Sequence, residues 1–340
     1  MSPATTLGAG AGLLHLSTPF TLEQGGTLRG GVLAYSWYGT PDRPVVVVLG
    51  GISAGRHVSA CGTDAARGWW EEQVGPGRAI DTRRWAVLGI DWLGGAGASS
   101  GPASHDPGGA RFPLVSSADQ ARALGLLLDH LGVATVHGVV GASFGGMVAL
   151  HLAAQRPRSV ARLILLGAAH RSHPLASAWR AVQRGIVELG LRSGAARDGV
   201  ALARGLAMTT YRTAEEFRER FADPPRADGL EVRSPVQEYL AARGAAFAAA
   251  CDAHAFLRLN QAIDLHRIDP ATVTAPATIV GFSGDQLVPP GDVAELARLY
   301  GGRHRLVCLA TRFGHDAFLK ETEAVAALLR EGLHGTERTP

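Results

Sequence analysis

The pentapeptide Gly141-Ala142-Ser143-Phe144-Gly145 constrains this chain more than any other feature. It follows an apolar stretch, residues 134–141, that reads as a strand. It precedes a helical stretch, residues 145–156, closed by Pro157. A G-x-S-x-G at a strand-to-helix junction places the serine on a sharp turn where side chains two residues either side would collide. The turn exposes the hydroxyl and aims the N–H of Phe144 at a developing oxyanion beside a helix N-terminus. Ser143 is therefore the expected nucleophile.

The surrounding pattern supplies the sheet such a junction needs. Residues 45–49, 85–90 and 160–166 are short aliphatic runs of the kind buried on both faces of a parallel sheet. Residues 116–131 begin with polar Ser-Ser-Ala-Asp-Gln and then place Ala121, Leu124, Leu128 and Leu131 on one helical face. Alternating strands and helices predict an α/β fold with crossover helices. From about Ala168 the texture turns helical and rich in alanine and arginine, with no convincing strand until residues 277–283 and 305–309. A terminal helix is expected around 319–333. The predicted organisation is one α/β core, residues 1–167 and 271–340, with a helical insertion at 168–270 that would serve as a lid.

Composition removes several function classes. The 33 basic and 30 acidic residues leave a net charge of +3, with no dense basic run, so nucleic acid is not an expected partner. The only lysine is Lys320, which leaves little room for a Schiff-base lysine or a P-loop. Three scattered cysteines, Cys61, Cys251 and Cys308, make neither a Cys-x-x-Cys zinc site nor a disulfide framework. No apolar run approaches the length of a membrane span, and no leader-like segment opens the chain. The expected setting is cytoplasmic, without a membrane, a metal or a cofactor.

A serine nucleophile needs a base and an orienting acid, in the chain order Ser, Asp, His. Asp285 follows the strand at 277–283, and His315 lies in the loop after the last strand. These two are the candidates. The second oxyanion donor is expected after the strand at 45–49, in Gly50-Gly51-Ile52-Ser53, with the N–H of Ile52 as the candidate.

Several further motifs resemble the homoserine O-acyltransferase family of α/β-hydrolase-fold enzymes, and the resemblance spans nearly the whole chain. They are Gly68-Trp69-Trp70, the run from Gly75 to Thr82, Ser99-Ser100-Gly101-Pro102, and the extended elbow from Gly141 to Met147. In the insertion, Tyr211-Arg212-Thr213 with Glu216-Phe217 and Arg220-Phe221 fits the family pattern, as do Gln237-Glu238-Tyr239-Leu240 and Asp264-Leu265-His266. Gly314-His315-Asp316-Ala317-Phe318-Leu319 completes the set.

The resemblance implies transfer of an acyl group from acyl-CoA, itself a substrate, to an amino-acid hydroxyl in methionine or cysteine synthesis. By the same resemblance Ser143, Asp285 and His315 form the triad, while Arg212 and Asp316 hold the amino acid. A zwitterion does need a guanidinium for its carboxylate and a carboxylate for its ammonium. Arg180 falls at the family's acyl-specificity position, where it would favour succinyl over acetyl. A homodimer is also implied. The chain departs from the family at Gly50-Gly51-Ile52-Ser53, where many members have His-Ala-Leu-Thr, so homoserine and serine both stand as acceptors. An acetyl donor and a simple ester hydrolase are the remaining alternatives.

Overall fold

The computed structural model describes residues 10–16, 19–60, 64–105 and 109–334; Cys61 lies outside them. Its centre is an eight-stranded sheet. The strands are β1 (Gly10–His15), β2 (Val32–Tyr38), β3 (Val45–Leu49), β4 (Ala86–Ile90), β5 (Gly138–Ala142), β6 (Leu163–Leu166), β7 (Ala277–Phe282) and β8 (His304–Leu309). They lie in the order β1-β2-β4-β3-β5-β6-β7-β8. Strand β2 pairs antiparallel with both β1 and β4, and every pairing from β4 to β8 is parallel. The alternation along β3 explains why its sequence is continuously apolar. Val45, Val47 and Leu49 enter the core on one face of the sheet, while Val46 and Val48 enter the core on the other.

Helices cover both faces. Helix α1 (Ser117–His130) starts with a reciprocal cap. The Ser116 hydroxyl accepts the Asp119 N–H at 3.2 Å, and the Asp119 carboxylate accepts the Ser116 N–H at 3.0 Å. Helix α2 (Phe144–Gln155) is buried along almost its whole length, as a helix in the middle of a domain must be when it is apolar all round. Helices α8 (Pro290–Leu299) and α9 (Thr322–His334) complete the layers. The terminal helix begins three residues later than its sequence pattern suggests, because the chain first makes a short helix, Ala317–Lys320, that breaks at Glu321.

Between β6 and β7 lie five helices: α3 (Pro174–Arg192), α4 (Ala196–Tyr211), α5 (Ala214–Arg220), α6 (Pro235–Ala248) and α7 (Ala253–Asp264). They carry a small core of their own around Val187, Val200, Phe256 and Leu257. The two ends of this block are tied together. Ile268 N–H donates to His170 O at 3.0 Å, His266 Nε2 lies 3.0 Å from Ala169 O, and Arg171 and Arg267 form an antiparallel bridge. A strand pair does occur within the block, Arg226–Asp228 with Glu231–Arg233. All six residues are exposed, so no apolar alternation marked them. The pairing rests instead on the turn at Gly229 (φ +63°) and an Arg233–Asp228 ion pair at 2.9 Å.

A candidate acyl-transfer site

Ser143 sits at φ 54°, ψ −121°, the only non-glycine residue with positive φ among those described. Its neighbours show what imposes this. A Cβ on Gly145 would stand 2.3 Å from Leu49 O, and one on Gly141 would stand 2.5 Å from Gly145 O. Only glycine allows the two strands and the helix to meet so closely. Hydrogen bonds from Ser143 N–H to Leu166 O (2.9 Å) and from Gly145 N–H to Gly50 O (2.9 Å) lock the turn to β6 and to the loop after β3.

His315 Nε2 lies 2.8 Å from Ser143 Oγ, and His315 Nδ1 lies 2.7 Å from Asp285 Oδ2. The second Asp285 oxygen accepts the N–H groups of Leu287 (2.9 Å) and Val288 (3.0 Å), which fixes the carboxylate's plane. Asp285 and His315 are 3% and 5% exposed, so the pair is shielded from water. Burial opposes a charged imidazole, but the Asp285 charge and hydrogen bond outweigh it, and the pKa of His315 is raised. The three side chains expected from sequence are thus brought together, with His315 hydrogen-bonded to Ser143 on one side and to Asp285 on the other.

The loop after β3 passes beside the nucleophile: a Cβ on Gly51 would contact Ser143 Cβ at 4.0 Å. Trp92 Nε1 donates to Gly51 O at 3.0 Å and holds the loop there. The Ile52 N–H has no hydrogen-bond acceptor among the described residues, and Ile52 and Ser53 line the cavity. Phe144, as the first residue of α2, has no intrahelical acceptor for its own N–H.

That cavity, about 360 Å³, also reaches Arg180, Arg212 and Asp316. Arg212 Nε lies 3.4 Å from Asp316 Oδ2, and Arg212 Nη1 donates to Glu216 at 2.5 Å. Asp316 caps the helix Ala317–Lys320 by position but makes no side-chain cap, so its carboxylate is left to Arg212. Burial raises the Asp316 pKa, against the opposing pull of Arg212 and His315.

Arg180 is only 7% exposed. Its Nε donates to Asp264 at 2.7 Å, and Nη2 donates to Ser172 and, at 3.2 Å, to Ser177. Arg184 Nη1 takes the other Asp264 oxygen at 2.6 Å, so one carboxylate serves two guanidinium groups. Nη1 of Arg180 has no hydrogen bond among the described residues. Burial lowers the Arg180 pKa, with Asp264 acting against it.

Asp264, Arg184 and Glu216 were not singled out from sequence as site residues. Glu216 had a readable signal. Thr213-x-x-Glu216 opens α5 as a cap, and Arg212 and Glu216 are spaced i, i+4. Asp264 was marked only as part of the Asp264-Leu265-His266 motif, and its pairing with Arg180, across 84 residues of chain, had no local signal. The Gly68-Trp69-Trp70 motif also finds its place: Trp70 Nε1 donates to Phe318 O at 3.1 Å, bracing the segment just after His315.

An eight-stranded, mostly parallel sheet with a serine on the turn after its fifth strand defines an α/β hydrolase. The family model described as the alpha/beta hydrolase fold matches residues 44–322. A homoserine O-succinyltransferase of Xanthomonas campestris pv. campestris is 44% identical over 90% of this chain and 80% of its own length. A homoserine O-acetyltransferase of Moorella thermoacetica is 32% identical over 91% of this chain and 92% of its own. The crystal structure of a homoserine O-acetyltransferase from Staphylococcus aureus, 27% identical, superposes with a TM-score of 0.82, covering 98% of each chain. The chain belongs to the homoserine O-acyltransferase family within the α/β hydrolases.

Proposed function

We propose that this enzyme transfers an acyl group, succinyl in preference to acetyl, from acyl-CoA to the hydroxyl of L-homoserine, for methionine synthesis. The observation that carries the reading is the opposite-charge pair Arg212 and Asp316, 3.4 Å apart in the same cavity as Ser143. A hydrolase of simple esters needs only the triad. A zwitterionic acceptor needs both charges as well.

In the first half-reaction His315 Nε2 takes the proton of Ser143 as Oγ attacks the thioester carbonyl. The N–H groups of Phe144 and Ile52 receive the oxyanion, each contributing about 3 kcal/mol when aligned. Collapse expels coenzyme A as thiol, protonated by His315, and leaves an acyl-serine. In the second, the acceptor's carboxylate pairs with Arg212 and its ammonium with Asp316. Its hydroxyl gives a proton to His315 and attacks the acyl-serine carbonyl. Ser143 leaves with that proton. No step calls for a metal or cofactor. The helices at 168–270 act as a lid that limits competition from water.

The free Nη1 of Arg180 supports a succinyl donor, whose distal carboxylate has no counterpart in acetyl. Three apolar residues at seven-residue intervals on α3, Leu175, Val182 and Leu189, are 50%, 55% and 60% exposed and support a homodimer through this helix. Assaying acetyl-CoA and succinyl-CoA against homoserine and serine, with thiol release and product mass as readouts, tests the reading. The expected result is a dominant O-succinylhomoserine product. Free acid with every acceptor would assign a hydrolase instead, and O-succinylserine would move the enzyme to cysteine synthesis.

A further inference from the structure

The cavity wall carries more arginine than its own carboxylates neutralise. Arg171 is paired with Glu295 at 2.5 Å, Arg180 with Asp264 at 2.7 Å, and Arg212 with Glu216 at 2.5 Å. Arg204 on α4 and Arg243 on α6 line the same cavity, and neither has a carboxylate at ion-pair distance among the described residues.

The two stand on helices in close contact. A Cβ on Gly244 would stand 2.4 Å from Ala201 O, so α4 and α6 touch by main chain, with Arg204 one turn beyond on one helix and Arg243 adjacent on the other. The Arg204 guanidinium lies 4.6 Å from the Phe247 ring centroid and 5.2 Å from that of Tyr211, whose hydroxyl accepts its Nη1 at 3.3 Å. Ring contacts hold the guanidinium plane and leave most of its N–H groups for a ligand. Tyr211 in turn stands 6.3 Å, centroid to centroid, from His315. Arg204 is thus separated from the base by one aromatic residue, and Arg243 is exposed. Two guanidinium groups without a carboxylate partner, lining one cavity, offer a polyanion charge-assisted hydrogen bonds that no carboxylate of the described residues takes up.

We propose that Arg204 and Arg243 bind the phosphate groups of the acyl-CoA donor, with its pantetheine arm running past Tyr211 to Ser143. This rests on the acyltransferase reading above and names where the donor's charged end sits.

The test compares two donors in steady state: succinyl-CoA and succinyl-pantetheine, which carries the same thioester without phosphate. Arg204→Gln and Arg243→Gln should each raise KM for succinyl-CoA on the order of 10-fold or more. KM for succinyl-pantetheine should be unchanged, and Arg→Lys should restore part of the loss. Equal losses with both donors, or none with either, would overturn the proposal, as would a wild-type enzyme that uses the two donors equally well. A binding titration with free coenzyme A separates this from the parent reading. If no transfer occurs with any donor, the acyltransferase reading fails. Loss of coenzyme A affinity in the two variants would then still sustain the phosphate site, and undiminished affinity would remove it.

Discussion

The Asp285 carboxylate, 2.7 Å from His315 Nδ1, raises the proton affinity of the buried imidazole. Burial alone would push the imidazole towards its neutral form; the carboxylate reverses that balance. Acyl transfer needs His315 neutral at the start of the cycle. With His315 as the base, the acid limb of kcat/KM should lie above the ordinary histidine value of 6.5, and activity should rise with pH through it. In Asp285→Asn the limb should shift to lower pH while the rate falls by orders of magnitude. An unshifted limb would mean that another group titrates.

Ser143→Ala should abolish acyl-enzyme formation and lower transfer by at least about 10³-fold. Intact-protein mass after brief exposure to donor checks this directly. An acyl adduct persisting in the variant would place the nucleophile elsewhere.

Arg212→Ala and Asp316→Ala should damage the second half-reaction far more than the first. Each removes a charge-assisted contact worth about 2–3 kcal/mol. The burst of coenzyme A release should survive in both. Because the two side chains also face each other at 3.4 Å, the double variant should lose less than the sum of the singles. Loss of the burst in folded variants would reassign both residues to acylation.

Arg180→Leu should reduce succinyl-CoA use relative to acetyl-CoA by roughly 10–150-fold, or about 1.5–3 kcal/mol. Asp264→Asn should act in the same direction by loosening the contacts that orient Arg180. Competition between the two donors, read by product mass, gives the ratio. Equal losses with both donors would leave succinyl preference without a residue to carry it.

A separate pH effect concerns stability. His151 and His266 stack edge to face at 5.2 Å between α2 and the end of α7. Burial pushes them down to about 4 and about 3 respectively. Between those values and the ordinary 6.5 the unfolded chain binds protons that the folded one refuses, so their contribution is lost as pH falls below 6.5. Relative to wild type, His151→Leu should gain stability on acidification, by up to about 1.4 kcal/mol per pH unit. Urea midpoints from neutrality to pH 5 measure this, and a constant difference would contradict it.

The inner parallel strands β3 to β7 were readable because they are buried on both faces, so composition alone marks them, whereas the parallel edge strand β8 has no buried residue. The antiparallel entry was not. Gly10–His15 is an edge strand whose residues are mostly partly exposed, and its pairing with Val32–Tyr38 leaves no such apolar run. Ser143 and His315 announced themselves through local motifs tied to strand ends. Asp264 stood in a motif of the resemblance, but its role did not show there, since it lies in contacts with Arg180 and Arg184, both distant in sequence. Charge pairs closed by folding carry no periodicity, whereas capped helices and buried strands do.

The cross-ties at His170–Ile268 and Ala169–His266 make the five-helix block a segment that leaves and re-enters the sheet at one place. A segment attached this way can change length and content without altering strand order or the turn that bears Ser143. Arg180, Arg204, Arg212 and Arg243 all ride on it, while Ser143, Asp285 and His315 do not. On the proposed reading, most of the charges that would select the reactants lie on a stretch of the gene separable from the triad, Asp316 and the loop at residues 50–53 excepted, so descendants could trade one donor for another and inherit the same bond-making apparatus intact.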